Sequence, residues 1–311
     1  MNRLLSAKYF QVTQRVWGTR LLFVNVYMIA NRPGSTKGWV LVDTGLKGSA
    51  DKIIAMAEAL FGPGTKPGAI VLTHGHADHA GSLRELLKHW NVPVYAHALE
   101  LPYLTGKSSY PPIDPFVGGG LMSLLSAFFP IKPIHIRHKI NTIDVDEGIP
   151  YLPEWKVIET PGHSPGHISL FMSANSVLLA GDALATTRTE SALYELNYIK
   201  KLTGPPQYFT VNWLAAAISL RKIAELNPRT IAPGHGPVMR GRELQDDLQE
   251  LAANFEAVAV PASGRYVEHP AIADETGVTY VPPFVSNVRF KVIVAFAAAF
   301  AGFIIMRQLQ R

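Results

Sequence analysis

The run from Ala69 to His79 reads AIVLTHGHADH: a strand-like apolar stretch followed by three histidines and an aspartate within six positions. No other stretch narrows the outcome as much. Partly desolvated imidazoles without a partner are costly, so a cluster of them behind a buried strand points to a bound cation rather than to core packing. Alternation along an extended chain turns His74 and His76 the same way, and Gly75 allows a tight loop between them. Asp78 and His79 are expected on the first turn of a following helix, facing a second centre. One short loop can therefore serve two adjacent metals.

Residue types limit what those metals can be. The 311 residues contain no cysteine, which removes disulfides and thiolate ligands and leaves histidine and carboxylate donors; the redox compartment stays open. With 48% hydrophobic and 17% charged residues, the chain is expected to fold around a sizeable core. Its formal charge of +5 comes from Lys and Arg spread along the sequence, without a basic run or an aromatic ladder. That pattern argues against a nucleic-acid partner and leaves a small-molecule substrate.

Strand-like runs come first in YFQVTQRVW, LLFVNVYMIA and GWVLVDTG, each closed by turn formers. Helical spacing follows in DKIIAMAEALF and AGSLRELLKHW, on either side of the short strand AIVLT. After VPVYAH, strands return as WKVIET, HISLFM and SVLLAGD. A helix, VNWLAAAISLRKIAEL, the short strand TIAP and a last helix, ELQDDLQELAANFEAV, complete the order. Two such halves suit two sheets stacked face to face with helices outside. Residues from about 105 to 138 interrupt the order with prolines, glycines and apolar residues, and read as a lid-like insertion over a substrate.

Three later motifs complete the donor set. TPGHSPGH places His163 after WKVIET, SVLLAGD ends in Asp182, and TIAPGHG contains His235. Each lies where a buried strand gives way to a Gly-containing turn. H-x-H-x-D-H followed by these three resembles the signature of the metallo-β-lactamase-fold hydrolases, and LVDTGL with Asp43 fits the same pattern; the resemblance spans about residues 20 to 240.

That resemblance implies an α/β fold, an αββα sandwich of two mixed β-sheets flanked by helices, here with a C-terminal extension. It assigns His74, His76 and His163 to a first metal, Asp78, His79 and His235 to a second, and Asp182 to a bridge between them. Two Zn2+ suit this nitrogen and carboxylate set, with iron or manganese as alternatives. Asp78 and Asp182 are expected to act in catalysis as well as in binding. Asp43 is expected to orient a ligand histidine, because the second D-T/S-G that an aspartic protease needs is absent. His167 is expected to be a structural hydrogen-bonding residue, and His97, His135, His138 and His269 to be ordinary histidines.

The activity implied is hydrolysis by a metal-bridging hydroxide. TPGHSPGH resembles both the glyoxalase-II-like thioesterases and the acyl-homoserine-lactone lactonases. The basic C-terminal residues of the former are replaced by a Pro-rich and then apolar region, and the tyrosine that the latter carry three residues after the bridging aspartate is Ala185. Tyr194 and Tyr198 on the following segment are candidate substrate contacts in its place. The apolar stretch from 117 to 130 suits an acyl chain, so an ester, lactone or thioester with an apolar acyl part is expected. Same-fold alternatives are a phosphodiesterase or nuclease, for which a basic exosite is missing, and a mononuclear iron sulfur-oxidising enzyme, told apart by its metal content. A membrane-tethered, non-catalytic binding module is the third, and the presence of all seven ligands speaks against it.

The N-terminal MNRLLSAKYFQVTQ lacks the apolar run of a signal peptide, so an uncleaved, cytoplasmic chain is expected. The expected division is a hydrolase domain over 1–258, a Pro/Gly-rich extension over 259–287 and an apolar C-terminal helix over 288–311. Residues 292–306 are apolar without interruption, with Arg289 and Lys291 before them and Arg307 and Arg311 after. A span takes about 20 residues. Two readings fit: a membrane anchor helped by snorkelling cations, or a core or dimer-packing helix.

Overall fold

A computed structural model describes residues 9–32 and 38–285; the apolar stretch 292–306 lies outside the described residues. YFQVTQRVW forms a hairpin rather than one strand, because Gln14 and Arg15 turn between β1 (Phe10–Thr13) and β2 (Val16–Leu21). β3 (Val24–Ala30) and β4 (Trp39–Val42) continue antiparallel. β5 (Ala69–Val71), β6 (Val94–Ala96) and β7 (Ile140–Thr142) then add in parallel, giving the order β1-β2-β3-β4-β5-β6-β7. β7 is short and polar and carries no strand signal of its own; its pairing with β6 defines it.

The second sheet is built from β8 (Lys156–Glu159), β9 (Ile168–Met172), β10 (Val177–Gly181), β11 (Thr230–Pro233) and β12 (Met239–Arg240), in the order β12-β11-β10-β9-β8. Only β10 and β11 pair in parallel, so this sheet is mixed as well. A separate hairpin joins β13 (Ile272–Asp274) to β14 (Gly277–Tyr280). The helices are α1 (Ala50–Phe61), α2 (Leu83–Trp90), α3 (Leu101–Thr105), α4 (Leu121–Leu125), α5 (Ala192–Asn197), α6 (Trp213–Leu226), α7 (Arg242–Ala253) and α8 (Phe255–Val258).

Strand alternation sorts the core into layers. On β3, Val26 and Met28 face Ile53 of α1 and Leu83 and Leu86 of α2, whereas Tyr27 and Ile29 face the other sheet. On β10, Val177 and Leu179 meet that inner layer while Leu178 and Ala180 face Leu220 and Ile223 of α6 and Leu248 of α7. Helix, sheet, sheet, helix is therefore the physical order, the αββα sandwich. Each fully buried leucine or isoleucine contributes about 1.5–3 kcal/mol of transfer free energy, which makes the three layers the main source of stability.

The 105–138 insertion is held at its far end by Ile134 and Ile136, whose N–H groups donate to the carbonyls of Tyr103 and Leu104 at 2.9 and 2.8 Å. Residues beyond 258 pack behind it. Tyr266 is buried and donates to the Pro112 carbonyl at 2.5 Å, and the Arg265 N–H donates to Asp114 at 2.7 Å. Among the described residues no helix is long and apolar enough to cross a membrane.

Candidate metal centre and active site

Five strands deliver the polar residues to one edge of the sandwich. Asp43 follows β4, the histidine loop follows β5, His163 follows β8, Asp182 follows β10 and His235 follows β11. Contacts between the sheets lock that edge: the Ile168 N–H donates to the Thr73 carbonyl at 3.0 Å, and the Asn25 N–H donates to Gly234 at 2.8 Å. Asp78 and His79 lie in a turn, and α2 begins only at Leu83. The His79 carbonyl accepts from the Thr44 N–H and hydroxyl instead of entering a helical ladder, which explains the departure from the expected first helical turn.

The seven side chains converge as two overlapping groups. His74 Nε2 lies 3.0 Å from His76 Nδ1, which lies 2.9 Å from His163 Nε2. His235 Nε2 lies 3.4 Å from Asp78 Oδ2, and His79 Nε2 lies 3.9 Å from the same oxygen. Asp182 sits between: Oδ2 is 3.4 Å from His163 Nε2 and 3.2 Å from His235 Nε2, and Oδ1 is 3.3 Å from His79 Nε2. In the sets His74–His76–His163 and Asp78–His79–His235 one donor atom of each residue lies within 4.8 Å of the others, the spacing around a single cation.

Fit to a cation can be tested on atoms left without partners. His79 Nε2 and Asp182 Oδ1 are buried, face each other and make no hydrogen bond among the described residues. Burial first, then neighbouring histidines, drives His74 well below the ordinary imidazole range. Burial takes His76 down to about 4 and also lowers His163, against the pull of nearby aspartates. These three present lone pairs. Burial also opposes charge on His79 and His235, yet Asp182 and the carboxylates beside it win, raising His79 to about 10 and His235 well above its usual value. Asp78 is held at about 2 because His79 and His235 outweigh its own burial. The Asp78–His79–His235 group favours positive charge while the other three histidines stay neutral, and the donor set suits a divalent ion.

Neighbouring bonds fix which ring nitrogen points inward. Asp43, in the left-handed region at φ 61°, accepts from His79 Nδ1 and from the Thr73 hydroxyl, each at 2.8 Å. That hydroxyl in turn lies 3.1 Å from His74 Nδ1. His235 Nδ1 donates to the Phe23 carbonyl at 3.0 Å. His167 is buried but not in either donor set; its Nε2 accepts the Asp182 N–H at 2.8 Å and its Nδ1 meets the Thr160 hydroxyl at 2.8 Å. Burial takes it down to about 3, so the neutral ring holds the Asp182 backbone.

Glu100 escaped the sequence reading. Fully buried, it accepts from the Gly75 N–H at 2.9 Å, the Ser164 hydroxyl and Gly166 N–H at 2.8 Å each, and the Tyr110 hydroxyl. It joins the two histidine loops. Its only sequence signal is a lone acid in the apolar run AHALELPYL.

Aromatic rings form one wall. Phe209 lies 4.6 Å from the His76 ring, Phe23 stacks on His235 at 6.0 Å, and Phe129 of the insertion stacks on Phe23 and Phe209 at 6.3 and 6.2 Å. Tyr198 donates to Asn25 at 3.3 Å and carries the Arg20 guanidinium over its ring, while Tyr194 sits on α5. Neither tyrosine contacts the histidine cluster among the described residues. Glu195 of α5 is buried with neither carboxylate oxygen hydrogen-bonded, and burial pushes it up to about 7.

A sequence profile of the metallo-beta-lactamase superfamily matches residues 19–235, from β2 to the last histidine of the cluster. The chain belongs to the metallo-beta-lactamase superfamily. It is 43% identical over 253 residues to the probable metallo-hydrolase YflN of Bacillus subtilis strain 168, covering 81% of this chain and 96% of that protein. With the probable metallo-hydrolase YybB of the same organism identity is 30% over 196 residues, 63% of this chain and 74% of that one. Among solved structures, a beta-lactamase domain protein from Burkholderia ambifaria superposes with a TM-score of 0.55 at 19% identity, over 80% of this chain and 75% of that one. A metallo-beta-lactamase family protein of Thermus thermophilus gives 0.53 at 20%, over 81% and 80%. These superpositions carry the fold alone. As a superfamily member this chain is a metal-dependent hydrolase, and the histidine and aspartate cluster is its candidate metal centre.

Proposed function

We propose that this superfamily member is a dinuclear zinc hydrolase that cleaves an ester, lactone or thioester with an apolar acyl part. The observation that carries the reading is the convergence of two three-residue donor sets on the single carboxylate of Asp182. His74 Nε2, His76 Nδ1 and His163 Nε2 would hold one ion, and Asp78, His79 and His235 the other. Two such cations supply Lewis-acid polarisation of a carbonyl and acidification of water near neutral pH. Asp43, Thr73 and the Phe23 carbonyl would hold the rings of His79, His74 and His235 in the tautomers that metal binding requires. Phe209, Phe129 and Phe23 line an apolar wall that would seat the acyl part and exclude water from that side.

Metal analysis of the full chain, combined with a panel of lactones, thioesters, β-lactams and phosphodiesters, tests the proposal. Two zinc per chain are expected, with turnover of an apolar acyl substrate that chelation abolishes and zinc restores. One iron per chain, or hydrolysis confined to phosphodiesters, would sink it. Asp182→Ala should stop turnover without loss of secondary structure.

A further inference from the structure

Three segments around the aromatic wall expose large apolar side chains. In and after α4, Leu121 is 57% exposed, Leu124 42% and Phe128 84%; on α5, Leu193 is 63% and Leu196 66% exposed; at the turn between β2 and β3, Leu22 is 63% exposed. The segments are tied together. The Met122 N–H donates to the Glu190 carbonyl at 3.0 Å, and a side chain at Gly120 would overlap that same carbonyl, so α4 starts against the residues that lead into α5. Arg20 of β2 donates to the Glu195 carbonyl on α5, and Phe23, next to Leu22, stacks on Phe129, next to Phe128. Scattered exposed leucines need no explanation; a rim of them on three linked segments beside the aromatic wall does.

We propose that this rim is a lipid-docking face, by which the enzyme rests on an anionic membrane surface with the metal centre turned toward it. Charge favours lipid over a second copy of the chain. Between Phe116 and Ile143 there is no acidic residue, and Lys132 is exposed there. Beside α5 Arg188, Lys200 and Lys201 are exposed, across a cleft from Glu243, Asp247 and Glu250 of α7, whereas Glu190 and Glu195 are buried. Exposed apolar side chains on segments that themselves expose Lys132, Arg188, Lys200 and Lys201 but no acid suit a layer of anionic headgroups over acyl chains. The course of the chain agrees: Phe284 packs 6.1 Å from Phe116 of the insertion, the described residues end at Val285, and the uninterrupted apolar sequence 292–306 begins seven residues further on. Docking would present a lipophilic acyl substrate directly to the aromatic wall, and that part alone rests on the proposed function.

The absence of cysteine allows a clean test on the full chain. A bimane label on Phe128→Cys reports the rim, and one on Asn175→Cys, exposed in the turn before β10 at the end of the strand away from the site, is the control. With phosphatidylglycerol-containing vesicles the Phe128 label should shift to the blue and lose most of its emission to doxyl-labelled lipid, while the Asn175 label changes little. Replacing Leu193 and Leu196 by Asp should diminish both responses. Vesicle binding with an unshifted Phe128 label would overturn the proposal, since the apolar tail alone would then account for attachment. So would a blue shift that grows with protein concentration in the absence of lipid, which would assign the face to a second copy. No step of this measurement requires turnover, so its outcome stands apart from the substrate assays.

Discussion

Glu100 and Ser164 form a hydrogen bond of 2.8 Å across 64 residues of sequence, joining the loop of the first histidines to the loop of His163. The same carboxylate holds Gly75 on the other side. Every partner of this buried group is a donor, so an amide cannot replace it without pressing N–H against N–H. Glu100→Gln is expected to cost about 1–3 kcal/mol of stability and to weaken metal binding, because the carboxylate ties the His74–His76 loop to the His163 loop. Chemical denaturation and metal titration of the variant check both effects, and a variant equal to wild type in both would remove Glu100 from the site.

Asp43→Asn should weaken one ion more than the other. The amide loses the anionic acceptor for His79 Nδ1 but keeps an oxygen for the Thr73 N–H, now 2.8 Å from Asp43 Oδ1. Affinity of the second ion is expected to fall about 10–100-fold, and that of the first by less, since Asp43 reaches His74 only through the Thr73 hydroxyl. Competition with a chromophoric chelator should resolve the two ions; equal loss at both would contradict this division.

Gly234 lies outside the left-handed region, so alanine meets no backbone penalty there. Its β-carbon would nevertheless collide with Asp182 Oδ1 and come 2.8 Å from His79 Cε1. Gly234→Ala should retain its circular dichroism spectrum and lose metal and turnover together. Full zinc occupancy in that variant would show that the cluster has more room than these distances allow.

Acid sensitivity of the chelated protein should depend on His167. Its folded value lies near 3, below the ordinary imidazole value of 6.5, so the folded ring stays neutral where the unfolded one takes a proton. The stability it contributes is present above pH 6.5 and is lost as pH falls toward 3, at up to about 1.4 kcal/mol per pH unit. Thermal melts of wild type and His167→Asn between pH 7 and 4 should converge on acidification. Parallel curves would assign the acid sensitivity to other groups.

Asp43 could be singled out because LVDTGL fits the family pattern and no second D-T/S-G accompanies it, whereas Glu100 could not, because its partners Gly75, Ser164 and Gly166 meet only when the two sheets stack. The aromatic wall was hidden for the same reason. Phe23, Phe129 and Phe209 come from a turn, the insertion and the segment before α6, and no spacing rule connects them. Tyr194 and Tyr198 were the nearest tyrosines in sequence after Asp182, but the fold turns Tyr198 to Asn25 and Arg20. β7 and the late start of α2 depended on pairing with β6 and on the Thr44 bonds to His79, both absent from any local pattern.

Sequence alone determined the donor types and the layered fold. Cysteine is missing, and four donors in six positions follow a strand whose neighbours alternate at strand and helix periods; such signals act over a few residues and survive without tertiary context. Tertiary structure decided how close the donors come to one another, which ring nitrogens turn toward the cluster and what surrounds it. His76 and His163 are 87 residues apart and their nitrogens 2.9 Å apart, a distance set by how two sheets pack and not by either segment's own preferences.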